Sequence, residues 1–183
     1  MARALSSSRG KPRHRAGDFG REPHDHQHCI DDALDRAAAL CEQRGSKLTD
    51  IRRRVLELVW RKHAPVGAYD LLDEIRKDGR IAAPPTVYRA LDFLREQGLV
   101  HRLESLNAFV GCTRPDRAHV SQFLICTGCD AVAELDAPEV GTAVSQSAAK
   151  AGFVVDRMTI EMHGLCPACG EGNAAHGRRG RHA

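Results

Sequence analysis

Two Cys-x-x-Cys pairs, Cys126-Thr-Gly-Cys129 and Cys166-Pro-Ala-Cys169, stand 36 residues apart and constrain this chain more than any other feature. Two cysteines with two residues between them can put both sulfurs on one metal ion without straining the turn. A second pair completes a tetrahedral shell of four thiolates, which suits zinc and leaves no position open for a substrate. The site predicted is therefore structural. A thioredoxin-like redox motif would need only one pair, at a helix start after a strand. A deaminase-type zinc site would need a His-x-Glu element and a Pro immediately before the pair, whereas Pro167 lies inside it. Seven cysteines, an odd number concentrated in metal-like pairs, fit a reducing compartment better than a disulfide framework.

A chain of 183 residues, 28% of them charged, allows one domain or two small ones and reads as soluble. Residues 1–20 lack the apolar core of a signal peptide, and no stretch is long and apolar enough for a membrane span, so a cytoplasmic protein with no membrane partner is expected. The net charge of +3 is unevenly distributed: residues 1–17 carry +5, 18–43 carry -5, 44–119 carry +5 and 120–169 carry -4. A nucleic-acid surface belongs in the basic segment 44–119.

Residues 1–28 show no hydrophobic periodicity and read as a disordered basic tail, in which His24, His26 and His28 alternate and could hold a metal loosely. A short helix is predicted over Asp31 to Arg44, with Cys41 as a small buried hydrophobe. From Leu48 the pattern becomes helix-turn-helix. Thr49 or Asp50 caps a helix that turns Ile51, Val55, Leu58 and Val59 to one face and Arg52, Arg53, Arg54 and Arg61 largely to the other. Pro65 to Lys77 gives a second helix with Tyr69, Leu72 and Ile75 inward. Pro84-Pro85 opens a third that ends at Gly98, burying Val87, Leu91 and Leu94 and leaving Thr86, Tyr88 and Arg89 on its outer, N-terminal half. That half is the part of a recognition helix that reaches base edges. The residues expected on duplex DNA are Thr86, Tyr88, Arg89 and, from the first helix of the motif, Arg52. Val100 to Leu103 and Ala108 to Val110 form a hairpin across Ser105-Leu106-Asn107, the wing of a winged helix.

Beyond the wing, Ser121 to Cys169 reads as two strands around Cys126, a helix from Pro138 to Ala151, and a strand from Val154 to His163. On that last strand Arg157, Thr159, Glu161 and His163 share the polar face. His163, near the thiolates, is a candidate for an additional metal contact. About fifty residues bury too little apolar surface to stand alone, so zinc and a second subunit are expected to make up the difference.

Pro84-Pro-Thr-Val-Tyr-Arg-Ala-Leu91, then Gly98-Leu-Val-His101, then the two cysteine pairs resemble the ferric uptake regulator (Fur) family, most closely its zinc-uptake branch. The resemblance covers about residues 30–170 and implies an α+β fold. Its parts would be a winged helix-turn-helix DNA-binding domain over 29–112 and a small α/β dimerisation and zinc-binding domain over 113–170, with a disordered tail over 171–183. It implies a homodimeric, metal-dependent repressor on operator DNA, and no enzyme. The branch's sensing site maps onto His101, Cys112, His119 and Glu134, giving two zinc ions per chain. Taken singly, His101 is also a wing-surface histidine and Glu134 an outward strand residue. Together, two imidazoles, a thiolate and a carboxylate make a four-coordinate site whose soft sulfur favours zinc over manganese and ferrous iron. The rival readings are a zinc enzyme, a zinc-ribbon interaction protein, and a Fur-family sensor of iron, manganese or peroxide. Cys112 separates the last of these from a zinc sensor.

Overall fold

A computed structural model describes residues 19, 26–61, 64–79, 82–117 and 119–174. The N-terminal part comprises α1 (His26–Gln43), α2 (Asp50–Trp60), α3 (Ala68–Lys77), α4 (Pro84–Glu96), β1 (Val100–Leu103) and β2 (Ala108–Gly111). The C-terminal part comprises β3 (Ser121–Cys126), β4 (Val132–Glu134), α5 (Pro138–Lys150), β5 (Thr159–Gly164) and α6 (Pro167–Ala174). This is an α+β fold: a winged helix-turn-helix followed by a small α/β unit.

α2 and α4 form where periodicity places them. α4 starts on Pro84 and Pro85, whose missing N–H groups have no helical partner at that end. It ends at Gly98, where φ is +66° and the N–H of Leu99 returns to the Leu94 carbonyl. Its inner stripe of Val87, Ala90, Leu91 and Leu94 is buried against α2 and α3. Each such aliphatic side chain contributes roughly 1.5–3 kcal/mol on burial. Val55, Leu58 and Val59 do the same for α2, and Cys41 is indeed buried, at 1% exposure.

β1 and β2 pair antiparallel, with His101 opposite Val110. A lone bridge between Val66 and Phe109 adds a third segment to this small sheet. The wing sits close on α2 because residue 111 is glycine: a Cβ there would lie 2.3 Å from the Trp60 ring. In the C-terminal sheet the order is β4-β3-β5, with β3 antiparallel to β4 and parallel to β5. Its core is small, and part of it comes from the wing: Leu103 of β1 is fully buried with Phe123 and Ile125.

Several expectations are corrected. Tyr69 is not inward: it is 67% exposed, and Leu71 takes the core position beside Leu72 and Ile75. The helix expected from Pro65 begins at Ala68, where the Gly67 N–H is held by Asp70. α1 begins at His26, so residues 26–28 belong to a helix rather than a tail, and His28 pairs with Asp32 one turn on. His24 lies outside the described residues. The strand expected from Val154 is β5, which begins at Thr159, and α6 was not anticipated.

Candidate metal centre

The knuckle geometry of the two cysteine pairs follows from strand ends. Cys126 closes β3, and the turn to Cys129 leads into β4. In the parallel neighbour, Cys126 stands opposite Gly164, two residues before Cys166. The four sulfurs lie within 4.8 Å of one another. Cys129 Sγ and Cys166 Sγ are 3.8 Å apart, far beyond a disulfide bond, and close to the edge of about 3.8 Å that a tetrahedron with zinc–sulfur bonds of about 2.3 Å requires. The backbone N–H groups of Cys166 and Gly128 donate to Cys126 Sγ at 3.2 and 3.4 Å. They favour the thiolate and, against burial, bring Cys126 down to about 6. The neighbouring sulfurs push Cys169 up to about 12. A divalent cation replacing the shared protons fits this donor set.

The second cluster gathers His101, Cys112, His119 and Glu134, with ligand atoms again within 4.8 Å of one another. β1 carries His101, the residue after β2 is Cys112, and β4 ends on Glu134, so the cluster joins the wing to the C-terminal sheet. Each imidazole has one nitrogen engaged outside the cluster. His101 Nδ1 lies 2.9 Å from Ser121 Oγ, and His119 Nδ1 lies 2.9 Å from the Arg117 carbonyl. The latter contact puts the neutral ring's proton on Nδ1, so His119 Nε2 turns a lone pair towards Glu134 Oε1, 2.7 Å away. Two acceptors that close call for a proton or a cation between them. His101 Nε2 is buried with no hydrogen-bond partner, 3.5 Å from the same carboxylate oxygen. Cys112 Sγ is 3.7 Å from His119 Nε2, against a sulfur–nitrogen edge of about 3.6 Å in a tetrahedral zinc site. The residues fit zinc.

Glu134 is ready for that role. Burial opposes its charge, but the adjacent His101 and the Thr113 N–H and hydroxyl outweigh burial and hold the carboxyl at about 2. Cys112 is the opposite case: burial and the negative Glu134 push its thiol up to about 12. Arg114 lies 3.8 Å from Glu134 and also pairs with Asp136.

The comparison with known proteins accords with this geometry. The family model described as ferric uptake regulator family matches residues 43–163. This chain belongs to that family. Among its Fur-family relatives, the zinc uptake regulation protein of Escherichia coli (strain K12) is 47% identical over 139 residues, covering 75% of this chain and 81% of the relative. A solved structure of a zinc uptake regulator complexed with zinc and DNA superposes with a TM-score of 0.75 at 45% identity, covering 79% of this chain and 97% of that one. The crystal structure of holo XcZur gives 0.72 at 43% identity, with 76% and 98% covered.

The sequence-predicted residues of this Fur-family chain divide cleanly. All eight candidate metal ligands fall into the two clusters, whereas His163 is exposed and belongs to neither among the described residues. Thr86, Tyr88 and Arg89 are exposed on α4. Arg52 is partly covered: its guanidinium lies over Phe93 and donates to the Lys47 carbonyl. Sequence reasoning missed Thr113 and Ser121, which orient the Glu134 and His101 ligands; a hydroxyl close to a ligand in sequence was the only hint.

Proposed function

We propose that this chain is a zinc-responsive transcriptional repressor, a homodimer that binds operator DNA when its mixed site is filled and that controls zinc-uptake genes from the cytoplasm. It holds two zinc ions per chain and catalyses no reaction. No described helix is long and apolar enough to cross a membrane. The observation that carries the reading is the cluster of His101, Cys112, His119 and Glu134, which has a thiolate among its donors and ligands from both structural units. A relative of high identity described as a zinc uptake regulation protein supports the choice of metal.

Zinc bound there supplies four bonds that tie the wing to the C-terminal sheet. Cys126, Cys129, Cys166 and Cys169 hold the other ion and maintain the small domain. Thr86, Tyr88 and Arg89 enter the major groove from α4, with Arg89 suited to reading base edges. Arg52 braces α2 against α4 and stands at the phosphate side. Dimerisation is supported by Val144, Phe153, Val154 and Leu165, apolar residues that the C-terminal part leaves 43%, 66%, 87% and 46% exposed. A two-fold dimer would set its recognition helices about 34 Å apart, one helical turn of DNA. Filling the mixed site selects the arrangement that matches this spacing, and DNA then tightens zinc binding by the same factor.

The test is a DNA-binding titration at fixed salt across buffered free zinc, manganese and ferrous iron. Tight binding that appears with zinc alone at low free metal supports the proposal. Equal response to iron or manganese would favour the other Fur-family sensor reading, and metal-independent binding would remove both.

A further inference from the structure

The wing meets the C-terminal sheet at a second place, through residues that belong to neither metal cluster. At the tip of the β1–β2 turn, the N–H of Glu104 donates to Glu161 Oε1 at 2.7 Å, and the N–H of Ser105 to Glu161 Oε2 at 3.1 Å. The Ser105 hydroxyl donates to the same Oε2. Glu161 lies in the middle of β5, 56 residues beyond Ser105, so these contacts join separate structural units. Hydrogen bonds to an ionised acceptor are about twice as strong as neutral ones. Burial works against the charge here, but the donors from Ser105 and Glu104 prevail and keep the carboxyl below its ordinary range.

The attachments are ordered along β1 and the turn that follows it. His101 is at the mixed site, Leu103 is buried against Phe123 and Ile125, and Glu104 and Ser105 sit on Glu161. A segment fixed at one end can still swing about that point. One fixed at both ends has lost most of that freedom, and α4 is carried on the same unit, because the Leu99 N–H that closes α4 precedes β1 directly.

We infer that Glu161 is a positioning residue, a clasp needing no metal that shares with the mixed site the task of orienting the wing and α4 relative to the C-terminal sheet. This rests on the DNA-binding reading only for its consequence, not for its geometry. The clasp and the mixed site favour the same closed arrangement, so opening the clasp leaves less of the chain in the form that zinc prefers. Zinc affinity at the mixed site therefore falls. Enough zinc restores closure, and with it DNA affinity. A residue that merely touched DNA would show the reverse: normal zinc affinity and a loss that saturating zinc does not repair.

The experiment uses the full chain with its four-cysteine zinc in place, as wild type, Glu161→Gln, Glu161→Ala, Ser105→Ala and the double variant Glu161→Gln/Ser105→Ala. Mixed-site zinc affinity is measured by chelator competition without DNA. Binding to a duplex selected from a randomised pool by the zinc-loaded wild type is measured across free zinc, and amide exchange is followed at Glu104 and Ser105. Glu161→Gln is expected to move the zinc midpoint about five- to tenfold upwards, with DNA affinity at saturating zinc within about twofold of wild type. Exchange at Glu104 and Ser105 should accelerate, and Ser105→Ala should produce a smaller shift that does not add to that of Glu161→Gln. Unchanged zinc affinity and unchanged exchange in both Glu161 variants would overturn the clasp, as would a DNA defect that persists at saturating zinc with zinc affinity intact. If the wild type selects no duplex while the zinc midpoint and the exchange still shift, the clasp stands and the DNA-binding reading falls.

Discussion

The guanidinium carbon of Arg52 lies 3.5 Å from the centroid of the Phe93 ring, and the same side chain donates to the Lys47 carbonyl at 2.6 Å. Arg52 thus ties α2 to α4 on the flank of the face that exposes Arg89. The two arginines should fail differently. Arg89→Ala is expected to cost about 1–3 kcal/mol of binding to a selected duplex and to relax base preference at one position. Arg52→Ala should lower thermal stability by about 1 kcal/mol through the lost stacking. A simultaneous drop of about one in the salt slope of DNA binding would place Arg52 on a phosphate as well. Unchanged duplex affinity for Arg89→Ala would mean that α4 presents another face to DNA.

The four-thiolate site should behave as part of the fold. Cys126→Ser or Cys169→Ser should lose one tightly held zinc per chain together with the cooperative thermal transition of the C-terminal part, because structural zinc binding is folding free energy. Metal content and calorimetry on the purified variants check this. A variant that kept full zinc and the wild-type transition would contradict the assignment.

Cys112→Ser should separate folding from sensing. Cys112 stands outside both Cys-x-x-Cys pairs, so the four-thiolate shell and the fold should survive, while a neutral hydroxyl replaces the soft ligand of the mixed site. The zinc concentration needed for DNA binding should rise by at least about a hundredfold, with little change in zinc-free binding. Wild-type zinc dependence in this variant would favour a sensor built from histidines and carboxylates.

Zinc binding at the mixed site should be coupled to proton release. The Cys112 thiol holds its proton up to about 12, while Glu134, at about 2, has already given its proton up. Zinc takes the thiolate, so Cys112 contributes one released proton per ion bound, in addition to any proton displaced from between His119 and Glu134. Raising the pH from about 7 to about 9 should strengthen apparent zinc affinity roughly tenfold per unit, after correction for zinc hydrolysis and chelator titration. Calorimetry in two buffers of different ionisation enthalpy counts the released protons directly, and Cys112→Ser should lower the count by one.

Much of this was legible in the sequence, for reasons that differ by element. The stripe of Val87, Leu91 and Leu94 is set by helical period alone, and the four cysteines of the two pairs declare themselves by type and spacing, whereas His101, Cys112, His119 and Glu134 are picked out only by the family resemblance. Tyr69 misled because Tyr69, Leu72 and Ile75 satisfy the same period as the true inner row; which of two adjacent rows faces inward depends on how α3 packs on α2 and α4. α6 was hidden by its glycines, Gly170 and Gly172, and forms where the Cys166 carbonyl accepts the N–H groups of Cys169 and Gly170. Arg54 reads as a solvated charge, yet it bonds Asp78 across the turn after α3. The contact of Glu161 with the wing had no local signal at all. Sequence periodicity places Glu161 on the polar face of its strand but cannot say what crosses to meet it.

The parallel pairing of β3 with β5 has a consequence for biosynthesis. Because the two strands run the same way, their ends come to one edge, and the second pair of sulfurs arrives only with Cys166 and Cys169, the first of them 37 residues after Cys129. α1 to α4 share one hydrophobic cluster with Val100 and Phe109 of the wing and can pack while the chain is still emerging from the ribosome, whereas Leu103 and the β1–β2 turn wait for the C-terminal sheet. The four-thiolate site waits too. All four sulfurs can hold zinc only once Cys166 and Cys169 have emerged, so a chain in a zinc-starved cell would carry a folded helix-turn-helix attached to an unfinished C-terminal unit. Pulse-labelled chains from such cells should show a protease-resistant N-terminal fragment and a C-terminal part that matures only when zinc is restored.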